Sequence, residues 1–169
     1  INGLAGGSYI DGGDGNDTVQ GGTEPDLIFG GNGNDSLDGG DEDDLIHGDA
    51  DNDVITGGAG EDALYGDDGN DYIDAGAQDD AVNGGAGADT LLGSDGNDTV
   101  SGGDGADSIL GGYGDDSLRG NGDNDIIVDL LGNNIITGDD GNDTLTGAGN
   151  LNGGTGDDLL TGSAGNDTL

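Results

Sequence analysis

Residues 84–110 read GGAGADTLL, GSDGNDTVS and GGDGADSIL, three variants of one nine-residue sentence, GGxGxDxUx, in which U is aliphatic. Working outward, the sentence opens again at Gly57 (GGAGEDALY), Gly30 (GGNGNDSLD) and Gly12 (GGDGNDTVQ). The frame runs from Gly3 to Thr146 without an inserted or deleted residue. It then loses three residues in GAGNLN (147–152) and resumes at Gly153 and Gly162. A fixed period of this length means stacked units, because one such unit cannot bury its apolar face alone.

Position eight is Ile10, Val19, Ile28, Leu37, Ile46, Ile55, Leu64, Ile73, Val82, Leu91, Val100, Ile109, Leu118, Ile127, Ile136, Leu145, Leu160 and Leu169. Neighbouring side chains of an extended segment point to opposite faces, so a three-residue strand with an apolar middle residue buries that residue only. A helix cannot use this pattern, because glycine pairs interrupt it. Glycines at positions one, two and four fit a tight turn that needs positive φ and close backbone approach. Strand, turn, strand, turn makes a flattened coil with two nonapeptides, 18 residues, per circuit. The expected fold is therefore all-β, a parallel β-solenoid with two short-stranded sheets. Roughly nine circuits, about 4.8 Å apart, would give a rod about 43 Å long.

The chain carries 38 acidic residues against one basic residue, Arg119, and its formal charge is −37. Little apolar surface and so much charge describe a chain that stays disordered when nothing neutralises it. Collagen is excluded, since glycine recurs every nine residues rather than every three and Pro25 is the single proline. Nucleic acid is excluded as a partner, because phosphate binding needs a basic surface. No apolar run is long enough for a membrane-spanning helix. Without cysteine there is no disulfide framework. We read residues 1–169 as one continuous array, irregular at 129–152. The chain opens partway into a repeat and stops one residue short of completing one, so a segment of a longer protein is expected.

Position six explains what neutralises the chain. It is Asp17, Asp26, Asp35, Asp44, Asp53, Asp62, Asp71, Asp80, Asp89, Asp98, Asp107, Asp116, Asp125, Asp143, Asp158 and Asp167. Stacking every second unit puts Asp17 under Asp35 and Asp53, and Asp26 under Asp44 and Asp62. Carboxylates about 5 Å apart repel by roughly 3 kcal/mol per pair at an effective dielectric near 20. Such a ladder requires cations between its rungs. Carboxylates and main-chain carbonyls in a flexible turn suit Ca²⁺; Mg²⁺ demands a rigid octahedron and keeps its waters. Zinc or copper would want His or Cys, and only His47 is present.

This array resembles the RTX (repeat-in-toxin) calcium-binding β-roll, and the resemblance covers about nine tenths of the chain. It implies that six residues of each repeat form a calcium-binding turn and three a strand. It also implies that the position-six aspartates bind Ca²⁺ together with backbone carbonyls, such as those of Gly12, Asp14, Gly30, Asn32, Gly84, Ala86, Gly102 and Asp104. Roughly a dozen ions are expected, enough to cancel most of the charge. The resemblance further implies a non-catalytic structural domain of a secreted or cell-surface bacterial protein, of adhesin, surface-layer or filament type. Such a domain leaves by type I secretion and folds on calcium outside the cell. The alternative is the export and folding module of a secreted RTX enzyme or toxin. Self-association and contact with neighbouring domains are the further partners to expect.

Several repeats depart from the pattern. Ser8 and Asn134 stand where Asp is expected, DLLGNNIIT (129–137) lacks the glycine pair, and GAGNLN has no position-six Asp. Calcium sites should be weakest there. TEPD (23–26), DEDD (41–44) and AQDD (77–80) lack the position-four glycine, so distorted turns are expected. Position nine should stack Phe29, His47, Tyr65, Asn83, Ser101, Arg119 and Thr137 on one face. Leu92, Leu110 and Val128 should form an apolar strip on the other, as cross-strand packing or as a contact surface. His47 reads as a surface side chain, and no pocket is expected in so thin a rod.

Overall fold

The computed structural model describes residues 1–3, 6–163 and 167–169. Its first eight strands are β1 (Tyr9–Asp14), β2 (Thr18–Gly22), β3 (Leu27–Asn32), β4 (Ser36–Asp41), β5 (Leu45–Ala50), β6 (Val54–Ala59), β7 (Ala63–Asp68) and β8 (Tyr72–Ala77). Then follow β9 (Ala81–Ala86), β10 (Thr90–Asp95), β11 (Thr99–Asp104), β12 (Ser108–Tyr113), β13 (Ser117–Gly122), β14 (Ile126–Asp140), β15 (Thr144–Thr155) and β16 (Leu159–Gly162). Every pairing between them is parallel, and through most of the rod each residue pairs with the one 18 positions on, as Val100 does with Val82 and Leu118. Odd strands stack on one face of the coil and even strands on the other, giving the expected β-solenoid. The faces join where β14 pairs with β12 through its first residues and with β13 through its last. Among the described residues there is no helix long and apolar enough to cross a membrane.

The strands are longer than expected. Most hold six residues, from position seven to position three of the next repeat, rather than three. The reason is that ladder hydrogen bonds belong to the main chain, so glycine at position two pairs as well as any residue; Gly13 lies opposite Gly31 and Gly40 opposite Gly58. Alternation along the extended chain then buries positions six, eight and one together, while seven and nine face out. Position eight makes the core: Ile28, Ile46, Ile55, Leu64, Ile73 and Leu91 have no exposed surface.

The three-residue deletion is absorbed between Asp129 and Asn134, where the β14–β15 register shifts. Leu151 is thereby brought opposite Ile136 and fills the core place, 3% exposed. The expected turn distortions divide. Glu42 and Gln78 take the left-handed backbone of the missing glycine, at φ 70° and 88°, and flanking strands pair in register. Glu24 precedes Pro25 and is not among the left-handed residues; β2, which leads into TEPD, ends a residue early at Gly22.

Candidate metal centre

From Asp35 to Asp143 the position-six aspartates divide their two oxygens between two roles. Oδ1 accepts the backbone N–H of the aspartate 18 residues earlier, at 2.7–2.9 Å from Asp17→Asp35 through Asp125→Asp143. Oδ2 has no hydrogen-bond partner and no contact with solvent in Asp17, Asp35, Asp44, Asp53, Asp62, Asp71, Asp80, Asp89, Asp98, Asp107, Asp116, Asp125 and Asp143. Stranding a charged oxygen away from water is among the most unfavourable arrangements a fold can contain. Here it recurs along two edges. One edge carries Asp17, Asp35, Asp53, Asp71, Asp89, Asp107, Asp125, Asp143 and Asp158; the other carries Asp26, Asp44, Asp62, Asp80, Asp98 and Asp116, then Asn134.

The glycine at position one makes room for that oxygen. A methyl group at Gly93 would lie 2.5 Å from Asp98 Oδ2 and 2.6 Å from the Gly111 carbonyl oxygen. At Gly30 the corresponding distances are 2.5 Å to Asp35 Oδ2 and 2.6 Å to the Gly48 carbonyl oxygen. An anionic and a neutral oxygen thus converge on one small volume per repeat. No three His, Cys, Asp or Glu side chains come together among the described residues, so a cation here must also draw on main-chain oxygens.

A profile of the RTX calcium-binding nonapeptide repeat, in four copies, matches residues 1–28, 11–46, 38–73, 56–91, 92–127, 119–150 and 146–169, which together span the chain. The chain belongs to this RTX repeat family. Comparison with curated proteins returns no match. RTX nonapeptides bind calcium, so this solenoid is a calcium-binding repeat domain.

The donor set fits that ion, since Ca²⁺ takes carboxylate and carbonyl oxygens in loose geometry. Burial of the RTX carboxyls pushes Asp53, Asp80 and Asp107 up to about 7, and Asp44, Asp71, Asp98 and Asp125 up to about 6. Accepted backbone N–H groups oppose this rise, and neighbouring carboxylates add to it. Asp35, Asp62, Asp89 and Asp143 move the same way for the same first cause.

Toward the ends the arrangement thins. Asp26 Oδ1 accepts from the backbone N–H of Ser8 at 2.6 Å, so the ladder continues past the missing carboxylate there. Asp158 and Asp167 are half-buried and accept from Asp143 and Gly149 at 3.0 and 3.1 Å. Among the carbonyls singled out above, those of Gly30, Gly84 and Gly102 point into the spaces at Gly12, Gly66 and Gly84. Those of Asn32, Ala86 and Asp104 accept N–H groups of Gly15, Gly69 and Gly87 at 2.7–2.8 Å, which leaves each a second lone pair. Gly12 and Asp14 lie in β1, the first strand of its stack.

Features that sequence reasoning passed over lie close to the site. A second, outer ladder runs through position five, where Asn70 Oδ1 accepts the Ala88 N–H and Asn52 Oδ1 the Asn70 N–H, both at 2.7 Å. Its signal was the run of Asn and Asp at that position. The expected position-nine stack is present, with His47 between Phe29 and Tyr65 at ring separations of 5.2 and 4.6 Å; what the sequence did not show is that His47 Nδ1 meets Asp67 Oδ2 at 2.8 Å. Contrary to expectation, an apolar groove of about 500 Å³ lies on one face, between Leu110, Tyr113, Val128, Leu130 and Leu131. It exists because the 129–137 repeat carries leucines at positions two and three.

Proposed function

We propose that calcium ions bridge successive turns along both edges, held by Oδ2 of the position-six aspartates and by main-chain carbonyls, and that folding and ion binding are one event. On this reading the chain is a structural rod of a secreted or cell-surface bacterial protein, of adhesin, surface-layer or filament type. It stays unfolded where calcium is scarce and winds up outside the cell. The observation that carries the reading is the row of buried position-six Oδ2 atoms without a partner. The single basic side chain cannot neutralise them, since Arg119 lies outside the ladder, with Nε 3.3 Å from Asp139 Oδ2. A site absent from the unfolded chain makes its binding energy available as folding energy.

Circular dichroism in a calcium titration tests this. In chelator the spectrum should be that of a coil, passing cooperatively to β as calcium is added, with protease resistance appearing in step. A rod that stays compact and protease-resistant after exhaustive dialysis against EGTA would overturn the proposal.

A further inference from the structure

The repeat 129–137 is the one place within the regular frame after Ser8 where position six carries no carboxylate, and it ought to interrupt the edge that runs from Asp26 to Asp116. The structure shows a substitute. Asp129 stands at position one, where every other repeat has glycine except that of Ala75. Its side chain is 1% exposed and reaches into the space beside Gly111. A methyl group at Gly111 would touch Asp129 Oδ2 and lie 2.8 Å from Asp116 Oδ2. In the preceding circuit the same space, at Gly93, is faced by Asp98 Oδ2 and by a main-chain carbonyl. Asp129 therefore presents an anionic oxygen where regular repeats present a neutral one.

The two roles of a position-six aspartate are here shared between two residues. Asn134 keeps the structural one: its Oδ1 accepts the Asp116 N–H at 2.9 Å, while its amide donates to the Leu131 carbonyl at 2.6 Å. Asp129 takes the other. Its Oδ1 is held by the Leu131 N–H at 3.3 Å, and its Oδ2 is buried without a partner. Among the described residues it is the one carboxylate outside position six left in that state. One circuit further along, Gly147 faces the Ile136 Cδ1 methyl and the Asp129 carbonyl, with no carboxylate oxygen among its nearest atoms.

We infer that Asp129 is a divalent-cation ligand, which with Asp116 Oδ2 and main-chain oxygens of this turn holds a calcium ion that the position-six rule denies to this repeat. The edge ladder then runs one circuit further than its aspartates indicate. This rests on the ligand assignment proposed above, and the test separates the two.

Bound calcium is counted by equilibrium dialysis of the full chain at saturating calcium and pH 8. Asp129→Asn should lose one ion, Asp71→Asn in the regular ladder at least one, and Asn134→Asp alone should gain none. The exchange Asp129→Asn with Asn134→Asp leaves the net charge unchanged, and it should regain the lost ion or restore folding if the single variant fails to fold. If Asp71→Asn loses ions while Asp129→Asn keeps the wild-type number, Asp129 is no ligand and the ladder assignment stands. If neither loses an ion, both fall. An exchange variant that fails to regain the ion, or an extra ion in Asn134→Asp, also overturns the assignment to Asp129.

Discussion

At the scale of single residues, position eight is about packing and position six about charge, and the two should respond differently to substitution. Leu64 has no exposed surface, so Leu64→Ala should lose about 2–5 kcal/mol, with little room for the thin core to collapse around the cavity. Shared among roughly a dozen ions bound cooperatively, a ~3 kcal/mol loss moves the calcium midpoint only about 1.5-fold. The informative measurement is thermal melting at saturating calcium, where the midpoint should fall by roughly 6–15 °C. Val54, at position seven and 46% exposed, gives the control: Val54→Ala should stay within about 0.5 kcal/mol of the parent. These roles were legible in the sequence because a strand alternates and position eight is always aliphatic while positions seven and nine are mixed. Asp129 was not, because its meaning depends on position one sharing that parity, which became visible only once the strands were seen to run on through the glycines. Leu151 was hidden differently: the deletion moved it out of the frame that would have marked it.

At the scale of the turn, handedness decides more than composition does. Positions two and four bend through positive φ, and where glycine is absent the polar residues Glu42, Asp49, Asp51, Asp67, Gln78, Ser94, Asn121, Asp123 and Asp139 do so at φ 70–88°. Left-handed backbone disfavours a side chain by about 1–2 kcal/mol, which exceeds the extra unfolded-state freedom of glycine, about 0.5–1 kcal/mol. Gln78→Gly should therefore stabilise the calcium-loaded rod. Asn83→Gly, in the ordinary extended backbone of β9, should destabilise it. Melting at fixed calcium checks the opposite signs, and equal signs would show that side-chain contacts at these positions outweigh backbone strain. The same reasoning explains why two of three expected distortions are absent. Glutamate and glutamine can be forced left-handed, whereas Glu24 is held by the proline after it, whose ring restricts the preceding residue toward extended conformations.

At the scale of the whole rod, calcium and protons compete for the same oxygens. The buried ladder carboxyls titrate near 6–7 when folded without metal, against 3.8 for a free side chain. Between those values the metal-free folded state holds more protons than the unfolded chain, so its stability falls as pH rises. The contribution is complete below about pH 4, where both states are protonated, and is gone above about pH 7. Acid should thus stand in for metal: a calcium-free chain that is coil at pH 8 should gain β structure as pH falls from 7 toward 4. A free carboxyl side chain titrates near 4, so protonation that begins above pH 5 belongs to carboxyls whose values are raised. Gain of structure that begins above pH 5 is therefore the mark of the buried ladder. The converse follows from the same linkage: calcium must displace those protons, so binding should release protons and tighten with pH up to about 7, then level off. Circular dichroism in metal-stripped buffer and calorimetric titration in buffers of different ionisation enthalpy read the two halves. A chain that remains coil at pH 5 without metal, together with calcium affinity independent of pH from 5 to 7, would mean that the Oδ2 ladder is not where the ion binds.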